Sequence, residues 1–393
     1  MQSDMRILFT GGGTLGPVTP LLAVAEELKR ISELEISELA KNKKTNSLIR
    51  QSTNPLHLVW IGTRRGPERK LVEEAGIKFS WLYAPKWRRY FDVRNVFVPL
   101  ALHIATKIAW FKLLRLRPDV IVTAGGFVGV PVVWAAWWLR RPVLLHNQDV
   151  RWSLANKLVA PFVRRITYAL PGTVPKRWQK KAVWTGNPVR EFVLKGSRER
   201  GLRLCGFTEK LPTIMVLGGG TGAKRLNEIV VAALLELTKK FQVIHVTGRG
   251  KAPSPDLASA QSPSPLGRGE GEGRYCSFEF VTSEMGDLLA AADLVITRAG
   301  MGVLSELAAL GKPMIIVPIP GSHQEENAEY FAKHGAAVVM NQSTLTSTNF
   351  VATISRLFEE RGMLDILNKH AKGLFKPNAT KRVAEAVQGL AKK

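Results

Sequence analysis

The stretch RILFTGGGTLGPVTP (residues 6–20) decides the fold. Ile7–Thr10 reads as a buried strand, and Gly11, Gly12, Gly13 and Gly16 turn the chain sharply. Pro20–Arg30 then carries Leu21, Leu22, Val24, Ala25 and Leu28 on one side of a helix. The same device recurs as TIMVLGGGTGAKRLN (residues 213–227). A strand that turns through glycines into a helix presents bare N–H groups at the positive end of a helix dipole, where phosphate binds well. One such loop in each half predicts an α/β protein of two Rossmann-like, parallel-sheet domains facing one another across a cleft.

Working outward, strands are expected at Leu56–Gly62, Val120–Thr123, Val143–His146 and Val183–Gly186 in the first half. In the second they fall at Ile214–Leu217, Gln242–Thr247, Glu279–Val281, Leu294–Thr297 and Met314–Pro318. Strands alternating with helices predict parallel sheets with crossover helices, whose ligands sit beyond the carboxyl ends of the strands. The expected first domain is 1–196, with a polar insertion at 31–52. The second is 197–375, with a Pro/Ser/Gly-rich insertion at 252–273 that cannot build a core. Residues 376–393 read as a final helix that crosses back to the first domain.

Composition limits the function classes. The chain has 393 residues, 45% hydrophobic, with a net charge of +24, which implies anionic partners. Its two cysteines, Cys205 and Cys276, lack the spacing of a disulfide framework or zinc site, and a reducing compartment is expected. The start of the chain runs straight into a strand, so no signal peptide is expected. The longest uncharged apolar run, Phe127–Leu139, contains Pro131 and falls short of the roughly 18 residues of a spanning helix. Between Lys86 and Arg117, Lys86, Arg88, Arg89, Arg94, Lys107, Lys112, Arg115 and Arg117 alternate with Trp87, Tyr90, Phe91, Phe97, Trp110 and Phe111. Such a mixture fits a surface resting on anionic lipid; the plainer alternative is a solvated helix face over core aromatics. No nucleic-acid-binding module accompanies the charge, so nucleic acid is not expected as a partner.

The second half carries the sharper signal. In TRAGMGVLSEL (residues 297–307) a strand ends at Arg298, and Gly300 and Gly302 let the backbone approach a ligand. Glu306 follows at a helix start, where a carboxylate can accept both hydroxyls of a ribose or simply complement the dipole. His323, Gln324 and Asn327 of VPIPGSHQEENA (residues 317–328) follow a strand and could contact a sugar. A dinucleotide fingerprint in the first loop would need an acid ending the second strand. That strand ends Gly62-Thr63-Arg64-Arg65, which argues against NAD.

In order along the chain come GGGTxGxVxP, GGF (Gly125, Gly126, Phe127), HxQ (His146–Gln148), GNPVR (Gly186–Arg190), GGGTGAxxLN, RAGxxxxSEL, HQxxNA and NATxRV. This order resembles the MurG family of peptidoglycan synthesis. The resemblance implies a GT-B fold. It also implies inverting transfer of GlcNAc from UDP-GlcNAc to the C4 hydroxyl of the lipid-linked pyrophosphoryl acceptor, lipid I. No metal or other cofactor is implied, UDP-GlcNAc being a substrate. The implied location is peripheral, on the cytoplasmic face of the cell membrane, with an anionic membrane surface and other cell-wall synthesis proteins as partners. By position, Glu306 should hold the ribose and Val281 should lie by uracil. Met301, Gly302, Val303, Leu304 and Ser305 should line the nucleotide diphosphate. His323 and Gln324 should contact the sugar, and Arg190, Gly220 and Thr221 should face the diphosphate. Thr14, Leu15 and Gly16 should border donor sugar and acceptor diphosphate. Gly125, Gly126, Phe127, Trp87, Arg88 and Arg89 should lie on the acceptor and membrane side.

The first domain departs from the family pattern. Family members carry GGTGGH where this chain has Gly12-Gly13-Thr14-Leu15-Gly16-Pro17, and HEQN where it has His146-Asn147-Gln148-Asp149. Proline cannot take a proton, so Asp149, or failing that His146, is the expected base for the acceptor hydroxyl. Asp149 as a helix cap near Trp152 is the plainer alternative. Three other functions fit a chain of this kind: a UDP-GlcNAc epimerase or hydrolase, a transferase with a different lipid acceptor, and a catalytically impaired UDP-sugar-binding membrane protein.

Overall fold

The computed structural model describes residues 5–41, 56–85, 96–218, 223–248, 250–251 and 274–391. The chain divides into two units, residues 1–189 with 377–393, and residues 190–376.

The first unit is built on a parallel sheet. Its strands are β1 (Arg6–Thr10), β2 (His57–Gly62), β3 (Lys78–Trp81), β4 (Val120–Thr123), β5 (Val143–Asn147), β6 (Arg165–Tyr168) and β7 (Ala182–Trp184). Their spatial order is β3-β2-β1-β4-β5-β6-β7. The apolar β1, β4 and β5 are central because helices cover both sheet faces there, and a polar residue at either face would lose its water. Alternation along β1 sends Ile7 and Phe9 to one face and Leu8 to the other. Ile7 and Phe9 meet Leu21, Val24 and Leu28 of the first helix together with Val383 and Val387 of the last, Ala379–Ala391. That last helix therefore completes the core of the first unit.

The second unit repeats the plan with β8 (Thr213–Leu217), β9 (Gln242–Val246), β10 (Tyr275–Phe278), β11 (Leu294–Thr297), β12 (Met314–Ile316) and β13 (Val338–Val339). The order is β10-β9-β8-β11-β12-β13, again all parallel. In each sheet the chain winds outward in opposite directions from one pair, β1/β4 and β8/β11. Ligands of such sheets bind at that reversal, beyond the carboxyl ends of the strands. Both glycine loops leave a strand of the pair.

Several expectations need correction. Residues 31–41 extend the first helix, Thr19–Lys41, rather than starting an insertion. ISELEISELAK lacks Gly and Pro and is rich in good helix formers. The strand expected at Glu279–Val281 is Tyr275–Phe278, because its pairing with β9 ends at Phe278↔Val246. Strands β3, β6 and β13 are not among the expected ones; KFSW and RITY are short and interrupted by polar residues, and β13 has only two residues. The break between units falls after Val189, ahead of the expected 196/197. Residues 42–52 and 252–273 lie outside the described residues.

Candidate functional site

The loop after β1 is held from several sides. Trp60 of β2 donates its indole N–H to the Gly11 carbonyl (3.0 Å), and Gln148 donates to the Gly16 carbonyl (3.1 Å). Gly126 sits directly on the loop: a Cβ there would lie 2.9 Å from the Gly12 oxygen, and its φ of +85° also demands glycine. A side chain on Gly13 would run into the Phe127 ring. The first loop and the GGF segment, distant in sequence, thus meet at the β1/β4 reversal. Thr14 and Gly16 are exposed at its outer edge, and Leu15 is half-buried.

Beside them, the loop after β5 is a chain of amides. Asn156 donates to Asn147 Oδ1 (2.9 Å), and Asn147 donates to the Asp149 carbonyl (2.9 Å). Asn156 also lies where a side chain on Gly125 would go. Asn147 and Gln148 therefore tie the half-buried Asp149 segment to both glycine turns. The helix cap nearby is Ser153, whose hydroxyl accepts from the Asn156 N–H, rather than Asp149.

His146 is elsewhere. It is fully buried, with Nδ1 2.9 Å from Thr167 Oγ1 and Nε2 2.8 Å from Asn187 Oδ1. With Asn187 Oδ1 accepting, Nε2 carries the proton and Nδ1 accepts from the hydroxyl. Burial pushes its pKa down to about 4, which the Asn187 bond only partly opposes. This corrects the expectation of His146 as an alternative base: an interior, doubly bonded ring has no path to a substrate hydroxyl.

In the second unit the helix Met301–Leu310 begins at the exit of β11, with Gly300 as its N-cap. Asn327 of the helix Gln324–Lys333 donates to the Ala299 carbonyl (3.1 Å), pinning that turn. Arg298 is turned inward: it donates to the Val317 (2.9 Å) and Pro318 (3.4 Å) carbonyls and to Gln342 Oε1 (2.6 Å). It braces the loop after β12, where His323 and Gln324 lie, and Gln324 Oε1 accepts the Ile319 N–H (3.2 Å). Parallel strands place Val281, Gly218, Gly300 and His323 along the same edge of this sheet, past its carboxyl ends.

Glu306 and Arg190, expected on ribose and diphosphate, are brought together. Glu306 Oε1 accepts from Arg190 Nε (2.9 Å) and Nη2 (2.8 Å), and the guanidinium lies 4.8 Å from the Phe192 ring. The Arg190 side chain is 22% exposed and that of Glu306 7%. Desolvation raises the Glu306 pKa, and the Arg190 charge and hydrogen bonds oppose it. Ser305 donates its hydroxyl to the Met301 carbonyl (2.7 Å). Met301 and Leu304 are buried, and Gly302 and Val303 are half-buried on the first turns.

Sequence reasoning missed Glu68, which is fully buried against the first glycine loop. The signal was a few residues beyond the end of β2, in Gly66-Pro67-Glu68. The structure adds an apolar surface on the helix beside Trp137 and Trp138. Leu100, Ile104, Ile108 and Phe111 form an exposed stripe along the helix Val98–Leu116. A cavity of about 410 Å³ is lined by His103, Thr106, Trp134, Trp137, Trp138 and Phe162. Trp87, Arg88, Arg89, Gly220 and Thr221 lie outside the described residues. Among the described residues, no group of His, Cys, Asp and Glu is arranged to hold a metal, and no helix is long and apolar enough to cross a membrane.

The family model for the glycosyltransferase family 28 N-terminal domain matches residues 45–168, and that for the family 28 C-terminal domain matches residues 213–383. The chain is similar to the UDP-N-acetylglucosamine–N-acetylmuramyl-(pentapeptide) pyrophosphoryl-undecaprenol N-acetylglucosamine transferase 2 of Bacillus cereus, at 36% identity over 94% of this chain and 96% of the relative. It is similar to the transferase of the same description from Clostridium botulinum, at 33% identity over 98% and 99%. Among solved structures it resembles the crystal structure of Acinetobacter baumannii MurG, with a TM-score of 0.70 and 25% identity over 98% and 99% of the two chains.

Proposed function

The chain belongs to the MurG family of glycosyltransferases, and on that premise we infer that it moves GlcNAc from UDP-GlcNAc to the MurNAc C4 hydroxyl of undecaprenyl-pyrophosphoryl-MurNAc-pentapeptide. It is a hexosyltransferase with a GT-B fold, converting lipid I to lipid II in the synthesis on which cell-wall growth, shape and division depend. The observation that carries this is the identity to transferases of that name across nearly the whole chain.

For the donor we propose the β8/β11 reversal. The N-terminal turn of the 301–310 helix offers N–H groups to the diphosphate. Glu306 takes the ribose hydroxyls once Arg190 leaves it for the diphosphate. Val281 lies by the uracil and Gln324 by the sugar, with Gly220 and Thr221 beside the phosphates. The acceptor lies at the first loop, with Thr14 to Gly16 and Gly125 to Phe127 along its diphosphate. As O4 attacks the anomeric carbon, the bond to the β-phosphate breaks and negative charge grows on departing UDP. Once released from Glu306, Arg190 meets that charge together with the helix N–H groups, a role that calls on no metal. Asp149 takes the proton from O4, helped by the amide chain that fixes its loop.

We propose membrane contact, supported by the exposed stripe on the 98–116 helix and by Trp137 and Trp138, next in sequence to Lys107, Arg140 and Arg141. Apolar side chains rimmed by cations suit the surface of an anionic leaflet, so we place the enzyme peripherally on the cytoplasmic face, where lipid I is presented. A bacterial strain depleted of its own lipid II-forming transferase tests the function. Expression of this chain should restore growth, and failure to restore growth at full expression counts against it.

A further inference from the structure

Glu68 opens the helix Glu68–Glu74 after β2 and is completely buried, yet no cation pairs with it among the described residues. Among the described residues its bonds come from Thr63, just past β2, and from Gly13 of the first glycine loop. Oε1 accepts the Thr63 N–H (2.7 Å) and the Thr63 hydroxyl (2.5 Å), and Oε2 accepts the Gly13 N–H (3.3 Å). Buried carboxylates are costly unless several donors satisfy them. Here the space is reserved: a Cβ on Gly12 or on Gly66 would fall on the Glu68 carboxylate. The loop that reads as an anion cradle thus packs against an anion of the protein's own and gives it one N–H. That internal anion uses the N–H of Gly13, while Thr14 and Gly16 remain exposed on the outer edge.

We propose that Glu68 is a positioning residue for the acceptor: its carboxylate, anchored on Thr63, fixes the Gly12–Gly13 turn from inside, so that the outer edge at Thr14–Gly16 meets a pyrophosphate in one geometry. The proposal rests on the transfer function above. Glu68 does not touch substrate. It acts through Gly13, and it explains why the loop tolerates Leu15 and Pro17, since its shape is set from the buried side.

The test uses the full chain and lipid I-dependent UDP release, with lipid I and UDP-GlcNAc varied in turn. In Glu68→Gln the amide cannot satisfy both Thr63 and Gly13, because its NH2 is a donor. A hydrogen bond to a charged group is lost, so the KM for lipid I should rise about tenfold. The KM for UDP-GlcNAc should stay unchanged, because that site lies on the other sheet. Glu68→Asp, which keeps the charge but draws it back by one methylene, should fall between wild type and Glu68→Gln. Thr63→Val removes one anchoring bond and should raise the lipid I KM about threefold, which keeps the test open if Glu68→Gln does not fold. An unchanged or lowered lipid I KM, or an equal rise for both substrates, overturns the proposal. Wild type that binds UDP but releases none with lipid I overturns the transfer function itself, and is recognised before any variant is read.

Discussion

Deleting Arg190 should expose how much the donor-side pair stabilises its unit. Glu306 is 7% exposed and receives two guanidinium bonds at 2.9 and 2.8 Å, so Arg190→Ala leaves a buried carboxylate without its cation. Removing one partner of a buried pair costs about 3–5 kcal/mol. Arg190 is 22% exposed and water can follow it in, so the low end applies, ~3 kcal/mol. For a unit of this size that is a fall in Tm of roughly 6–12 °C. Glu306→Gln keeps an acceptor and removes the charge, so it should cost only ~1 kcal/mol, and the double variant should recover most of the Arg190→Ala loss. The pH dependence fixes the sign. Burial already raises the Glu306 pKa against the pull of Arg190, and losing Arg190 raises it further. With its folded-state pKa above the unfolded one, the deficit is absent below the unfolded value, opens as pH rises from there to the variant's folded value, and stays constant above it. Urea unfolding of the three variants from about pH 5 to about pH 8 reads all of this. Strictly additive effects of the two substitutions, or an Arg190→Ala deficit that does not vary with pH, would refute the reasoning.

His146 and His245 each have a folded pKa lowered by burial to about 4, against 6.5 in the unfolded chain. Each should remove roughly 3 kcal/mol of stability as pH falls from 6.5 towards 4, seen in denaturant unfolding as acid-sensitive midpoints in both units; a flat profile over that window contradicts it. Asp149→Asn should lower turnover about a hundredfold and leave UDP binding unchanged, measured by UDP release and calorimetry; full turnover removes Asp149 from the base role. Trp137 and Trp138 are each 53% exposed, and replacing both with Ser should weaken sedimentation with anionic vesicles at least about tenfold, whereas unchanged binding moves the membrane face elsewhere.

The two strand–glycine–helix devices are legible in sequence because they are local: an apolar run, glycines and an amphipathic stretch lie within about fifteen residues of one another. The sheet reversal beside each follows from the alternation of strands and helices. What bonds to what across long separations is not legible. Nothing local in GTRRGPE says that Glu68 turns back onto Gly13, or that Arg190 reaches Glu306. His146 misleads for a similar reason. An imidazole at the end of an apolar strand, followed by Asn147-Gln148-Asp149, reads as exposed chemistry, but strand β5 is covered on both faces and the ring is buried. Strands β3 and β6 are hidden because their neighbours in the sheet, more than their own composition, hold them in place.

GlcNAc transfer to a lipid-linked acceptor is tested most directly by UDP release from UDP-GlcNAc with the purified chain, with and without lipid I. Release that requires lipid I, with the label recovered in the lipid fraction, is the predicted result. Release without acceptor would mean hydrolysis or epimerisation, and no release despite intact UDP binding would mean a binding protein; either result contradicts the account.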